Sequence, residues 1–293
     1  MTISTTILPD IQKSEPFIKI PIDEVGVENV AVPFGLASKY GGINNMVANV
    51  SMRTNLDENT KGISMSRLLR TLKKYLDLPL KQQLINQILM DIAKEVGATK
   101  SYMKFEFLLP IKRKSLITSD EFPIFHKCRF EGQLEHIFLL DAGPLYDFKF
   151  YQGVVVQYAS YCPCSAELSK DLINKGSFGF PHAQRSYANI IIECDKSQYI
   201  WLEDIVEAVE RAIKTIPYPI IKREDEQRIA EIAAQNPMFV EDAIRAISNE
   251  INSMKGVLDW HIKCRHEESI HTSEAVAINY KGVKGGFDYK CNL

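Results

Sequence analysis

The hydrophobic positions of this chain follow first one period and then another, and the same succession occurs twice. Val25 to Pro33 and Asn44 to Asn55 read as β-segments, after which Met65 to Leu78 carries Leu68, Leu69, Leu72, Tyr75 and Leu76 at helical spacing. A second helix follows at once: Pro79 opens it, Leu84, Ile85, Ile88, Leu89, Ile92 and Val96 stripe one face, and Gly97 ends it. From Tyr102 to Leu109 the period drops to two, with Met103, Phe105, Phe107 and Leu109 on one side, and another β-segment spans about His126 to Leu140. The first half predicts the order ββααββ.

The second half predicts that order again. Gly153 to Tyr161 and Tyr187 to Cys194 are β-rich, and Trp201 to Ile216 is an amphipathic helix with Trp201, Ile205, Val209, Ala212, Ile213 and Ile216 on its apolar face. Asn236 is placed to cap a helix with Pro237 at its first position, running through Val240, Ile244, Ile247 and Ile251. Val257 to Arg265 and Glu274 to Tyr280 close the set, with Trp260, Ile262 and Cys264 on a packed face and Asp259, His261 and Lys263 on a polar one. The chain thus reads as α+β, with an irregular arm over 1–24, a first unit over 25–143 and a second over 144–293. The charges from Lys222 to Arg228 read as a solvated loop.

Composition excludes several classes. With 45% hydrophobic and 25% charged residues, the chain has ordinary globular usage and enough apolar material for a sizeable core. A net charge of -2 gives no global attraction to nucleic acid or to an anionic membrane. Met1 to Ile20 lacks the basic and apolar regions of a signal peptide, and no segment is long enough to span a bilayer, which predicts a cytoplasmic protein. Six cysteines at irregular spacing do not form a disulfide framework and read as thiols or ligands.

Two of those thiols carry the candidate chemistry. Cys162-Pro163-Cys164-Ser165 lies shortly before Pro181-His182-Ala183-Gln184-Arg185-Ser186, so thiolates and an imidazole occur within one short segment. That mixture holds borderline-soft divalent cations, and carboxylates downstream can complete the shell. In an extended segment the side chains of Cys162 and Cys164 would share one face, although Pro163 marks a strand end or edge.

These two motifs, together with Lys61-Gly62-Ile63-Ser64-Met65-Ser66-Arg67, Lys222-Arg223-Glu224-Asp225-Glu226-Gln227 and Asn236-Pro237-Met238-Phe239-Val240-Glu241-Asp242, resemble the type IB GTP cyclohydrolase I family of prokaryotes. The resemblance covers about Val25 to Tyr280, and five ordered motifs are far more specific together than any one alone. It implies a tandem tunnelling fold: two ββααββ units with antiparallel sheets and helices on one face, assembling into barrel-like oligomers. A homotetramer with active sites at subunit interfaces follows from it. So does the reaction of GTP and water to 7,8-dihydroneopterin triphosphate and formate, catalysed by a hydrolase of cyclic amidine C–N bonds with one divalent metal, Zn, Fe or Mn, per site. The product would feed folate and pterins or a 7-deazaguanine tRNA base. A sister pterin or purine enzyme of the same fold, and a non-catalytic metal-stabilised binding protein, are the competing readings.

The resemblance also implies roles. It puts Cys162 and His182 on the metal with Glu226, Glu224 being the alternate, and Cys164 beside the reacting purine; Cys162 and Cys164 can exchange these parts. Glu241 would anchor guanine, because a carboxylate accepts from N1–H and the 2-amino group together. His271 and Glu268 would move protons during ring opening. Lys61, Arg67, Arg185 and Arg53 are candidates for the triphosphate. Ser64 and Ser273 depart from the family pattern, standing where His is common.

Overall fold

Eight strands pair in the order in which they occur along the chain in the computed structural model, which describes residues 11–139 and 143–287. The strands are β1 (Ile22–Ala37), β2 (Ile43–Leu56), β3 (Lys100–Lys114), β4 (Glu121–Leu139), β5 (Gly143–Tyr161), β6 (Ala183–Cys194), β7 (Val257–His266) and β8 (Ala275–Tyr280). The helices are α1 (Met65–Lys73), α2 (Gln82–Val96), α3 (Pro163–Asn174), α4 (Leu202–Ile213), α5 (Arg223–Gln235) and α6 (Val240–Ser253). Both predicted sets of strands are present, the expected α+β class with antiparallel pairing, and β3, β4 and β5 are longer than their patterns indicated. Among the described residues, one compact unit takes those up to Ala37, Gly41–Glu106 and Glu131–Lys149. The other takes Ser38–Tyr40, Phe107–Phe130 and those from Phe150 on. Of the N-terminal arm, residues 1–10 lie outside the described residues; Ile11–Lys13 forms a short 3-10 turn.

In the first unit the stripe of α2 becomes core, with Ile85, Ile88, Leu89 and Ile92 at most 1% exposed. The helix sits close to β4 because Gly132 has no side chain; a Cβ there would lie 2.5 Å from Ile85 and 2.8 Å from Leu89. Gly97 ends α2 in the left-handed conformation (φ 72°), as its position indicated. Pro79 does not open that helix. The Leu80 N–H is donated to the Gly35 carbonyl at 2.8 Å, so this stretch extends beside β1 and the helix starts only at Gln82.

In the second unit α4 and α6 supply Ile205, Val206, Val209, Ala243, Ile247 and Ile251 to a core shared with Val154, Val156, Ile190, Ile192 and Ile262. Pro163 follows the end of β5 at Tyr161, as its sequence indicated, and starts a helix, α3, at its first position, where its missing N–H costs nothing. Three expectations are corrected here. The charge run is the first turn of α5 rather than a solvated loop, because Asp225 is fully buried at its heart. Asn236 closes α5 instead of opening α6: its side chain donates to the Ile232 carbonyl at 2.7 Å, and Asp242 accepts the Phe239 N–H at 3.2 Å as the cap of α6. The polar face of β7 is not turned to solvent. Asp259 and His261 are buried there, with Asp259 accepting from the N–H groups of Trp260, Gly282 and Phe287. Among the described residues no helix is long and apolar enough to cross a membrane.

Candidate active site

The site grows from the ends of β5, β6 and β7, where an apolar inward row turns polar. Along β5 the buried series Val154, Val156, Tyr158 ends on Ser160; along β6 the series Ile192, Ile190, Ala188 ends on Ser186 and Gln184; along β7, Ile262 and Cys264 lead to His266. Register brings these together, since Tyr158 pairs with Ser186, Ser186 with His266, and Ser160 with Gln184. The Tyr158 hydroxyl meets His266 Nε2 at 2.9 Å, across a middle strand whose residue is only a serine. Ser186 Oγ lies 2.8 Å from Ser160 Oγ, which accepts from Gln184 Nε2 at 2.8 Å, and Gln184 Oε1 lies 2.9 Å from His182 Nδ1. Buried polar groups are thereby paired rather than stranded.

Cys162 and His182 are brought side by side. The Cys162 N–H donates to the His182 carbonyl at 3.3 Å, and the His182 N–H donates to Ser165 Oγ at 3.3 Å. Cys162 is the N-cap of α3 and Cys164 lies in its first turn, so the two thiols do not share a strand face as an extended segment would have it. Cys162 is half-buried and Cys164 exposed; both are free. Burial pushes the thiols of Cys128 and Cys194 far up and that of Cys264 up to about 12, which keeps them neutral core groups. Cys291 lies outside the described residues.

The acidic residues sort by position. Burial alone would raise the Asp225 carboxyl, but the Thr118 hydroxyl and the N–H groups of Ile117, Lys222 and Thr118 outweigh it and hold it well below the usual carboxylate range. Asp225 is therefore a structural clamp between α5 and the loop before β4. Its neighbours Glu224 and Glu226 are exposed on the same first turn. Ile229 and Ile232 of α5 line a small cavity with Tyr161, the residue before Cys162. Glu241 is exposed in the first turn of α6 and leaves the capping role to Asp242. The connector before it is tied to the site, because the Met238 N–H donates to the Tyr161 carbonyl at 3.1 Å. Burial pulls the His266 imidazole down to about 4, with the nearby charge of Glu241 acting against that shift.

The remaining candidates are more dispersed. Glu268 and His271 occupy the turn before β8, not the strand itself, with His271 Nε2 3.9 Å from Glu268. Arg185 is exposed on β6, its carbonyl accepting the Glu267 N–H at 3.0 Å. In the first unit, Lys61 is exposed and Arg67 half-buried, whereas the Arg53 guanidinium is engaged by Glu24 and Glu28 and lies over the Tyr102 ring. Ser64 precedes α1 at the N-cap, and Ser273 is exposed.

Among the described residues, no three His, Cys, Asp or Glu side chains converge closely enough to hold a metal. The two residues whose backbones are joined, Cys162 and His182, fit a soft divalent ion in kind: one free thiol and one imidazole whose Nε2 has no hydrogen-bond partner among the described residues. Sequence reasoning missed Asp225, Tyr158, His266, Ser160, Ser186 and Gln184. For the strand residues the available signal was a polar residue at an inward position terminating an apolar row; for Asp225, inside a run of charges, there was none.

A family model described as type I GTP cyclohydrolase folE2 matches residues 8–277. The chain is 31% identical over 281 residues to GTP cyclohydrolase FolE2 of Roseobacter denitrificans, covering 94% of this chain and 74% of that protein. It is 30% identical over 273 residues to GTP cyclohydrolase FolE2 of Geobacter metallireducens, covering 93% and 96%. In three dimensions the uricase from Arthrobacter globiformis superposes with a TM-score of 0.54 at 5% identity, over 91% of this chain and 96% of that one. A uricase from Bacillus fastidious gives 0.55 at 7%, over 88% and 92%. Identities so low speak for the fold alone, which is the tunnelling fold; the motifs, the family model and the relatives together establish that the chain belongs to the type I GTP cyclohydrolase FolE2 family.

Proposed function

We propose that this protein is a metal-dependent GTP cyclohydrolase that converts GTP and water to 7,8-dihydroneopterin triphosphate and formate, and so acts as a hydrolase of cyclic amidine C–N bonds. The observation that carries the reading is the adjacency of Cys162 and His182, within a chain whose family match spans residues 8–277. C8 of guanine must take up water, the imidazole ring must open, and formate must leave before a new ring closes. A bound divalent ion, Zn, Fe or Mn, would lower the pKa of water from about 16 toward roughly 7 and so make hydroxide available at neutral pH.

The chain's own residues do the rest. Cys162 and His182 supply two donors, and Glu226, or Glu224 as the alternate, supplies a carboxylate from the exposed first turn of α5. Cys164 stands two residues beyond Cys162, in the first turn of α3, and hydrogen-bonds the purine. Glu241 is free of capping duty and accepts from guanine N1–H and the 2-amino group, a pairing adenine cannot make. His271, with Glu268 beside it, gives and takes protons as the ring opens. Arg67, Lys61 and Arg185 meet the triphosphate; Arg53 is held by two carboxylates instead. The enzyme works in the cytoplasm as a homo-oligomer, a tetramer with interfacial sites, and its product enters folate or modified tRNA base synthesis. The test is formate release from GTP by purified protein, before and after chelation and with Zn, Fe or Mn restored. Loss on chelation and recovery with metal is expected; full turnover by metal-free protein, or no formate under any condition, refutes the reading.

A further inference from the structure

An imidazole can hold a divalent ion only through a nitrogen with a free lone pair, and a neutral histidine divides its proton between Nδ1 and Nε2. His182 does not make this choice alone. Its Nδ1 lies 2.9 Å from Gln184 Oε1, and the amide's other end, Nε2, donates to Ser160 Oγ at 2.8 Å. Ser160 Oγ in turn lies 2.8 Å from Ser186 Oγ. The three supporting side chains are 8%, 3% and 0% exposed, and strand register sets Gln184 directly opposite Ser160. Water therefore does not compete for the Gln184–Ser160 and Ser160–Ser186 bonds, and the amide has little room to swing.

Such a chain can carry its protons in one of two directions. With Gln184 Oε1 toward His182, an atom that only accepts, the proton sits on Nδ1 and the Nε2 lone pair is open. With the amide reversed, its N–H donates to Nδ1 and the proton is driven onto Nε2, which abolishes that nitrogen as a ligand. We propose that Gln184 is a positioning residue: pinned by Ser160, it holds His182 in the Nδ1–H tautomer and presents Nε2 to a divalent ion. The inference rests on the metal reading above. Ligating histidines commonly give their second N–H to an oxygen acceptor that fixes ring orientation, and losing it costs roughly 10–100-fold in metal affinity. An amide does this without adding a buried charge.

The experiment compares wild type, Gln184→Met, which can neither accept nor donate there as an amide does, and Gln184→Glu, which can only accept. Two readouts are taken on folded protein: the His182 tautomer by nitrogen NMR of the metal-free form, and Co²⁺ affinity by competition with a chelator. Gln184→Met should mix the tautomers and bind Co²⁺ roughly 10–100-fold more weakly, while Gln184→Glu keeps the Nδ1–H tautomer and binds within a few-fold of wild type. A folded Gln184→Met protein with unchanged tautomer and affinity overturns the inference. Should that variant fail to fold, Ser160→Ala removes only the pin; a shift toward mixed tautomers supports the proposal, and an unmoved tautomer rejects it. His182→Ala separates the two ideas. If it binds Co²⁺ like wild type, the metal reading fails, while the tautomer of the metal-free protein still decides what Gln184 does.

Discussion

The Cys162 N–H donates to the His182 carbonyl at 3.3 Å, one step beyond the last register pair of β5 and β6, Tyr161 and Ala183. The two residues are therefore placed next to one another by the same backbone ladder that builds the sheet. An antiparallel pair brings distant residues opposite one another at small cost, because each further step only continues hydrogen bonds already formed. Here the ladder ends where the polar chemistry begins.

Substitutions at this pair should separate metal from substrate. Cys162→Ala and His182→Ala are expected to lose bound metal, measured by elemental analysis of purified protein, and formate release with it. Glu241→Ala should keep its metal and lose roughly 100-fold or more in kcat/KM for GTP, since removing a bidentate charged acceptor leaves two guanine donors unpaired. Equal metal content in all three variants would show that the ligands lie elsewhere.

The meeting of Tyr158 with His266 depends on the small residue between them. Ser186→Val should lower stability by roughly 2–3 kcal/mol, because it overfills a fully buried position and strips Ser160 of a partner. Urea unfolding gives the value. A midpoint unchanged from wild type would mean that β6 shifts to absorb the methyl groups and that the row is not rigid.

Acid should destabilise the fold through the buried histidines His266, His126 and His261, all held below their ordinary range by burial. Burial lowers His266 and His126 to about 4 from the ordinary value of 6.5. Between those values the unfolded chain binds protons that the folded chain does not, so stability is complete above about pH 6.5 and falls as the pH drops toward 4. His266→Gln, which keeps a partner for Tyr158, should remove the His266 share of that slope. An identical slope in wild type and variant would contradict the assignment.

Asp225 works in a lower window. Its depressed carboxyl contributes stability that is present above the unfolded value, roughly 3.9, and is lost as pH falls further. Asp225→Asn should therefore be less stable than wild type at pH 7, with the two curves converging below about pH 3.9. Thermal melts across that range provide the check; a gap that stays constant with pH would mean that shape, not charge, makes the clamp.

Close approach of α2 to β4 gives a test of packing apart from the site. Gly132→Ala places a methyl against Ile85 and Leu89 at distances real carbons do not tolerate, and should cost about 1–3 kcal/mol. Formate release per folded molecule should stay as it was.

Strand order, the helices α1, α2, α4 and α6 and the α+β class were readable from periodicity, because an amphipathic element must turn one face to a core whatever surrounds it, and a glycine marked the stop at Gly97; α3 and α5, which break the second ββααββ order, were not readable. The five motifs likewise marked Cys162, His182 and Glu241 as residues of interest. Tertiary structure decided what local pattern cannot carry. Whether a carboxylate in Lys222 to Arg228 is solvated or buried depends on the loop that covers it, and it is the Ile117 and Thr118 N–H groups that turn Asp225 into a clamp and its run into a helix. Whether Asn236 opens or closes a helix depends on which carbonyl its side chain finds, and Ile232 lies behind it. Ser160 reads as an ordinary strand residue, and Gln184 and Ser186 as motif neighbours of His182, until register sets them opposite one another across β5 and β6. A period of two records which face a residue takes, but only the pairing of strands distant in the chain determines what it meets there.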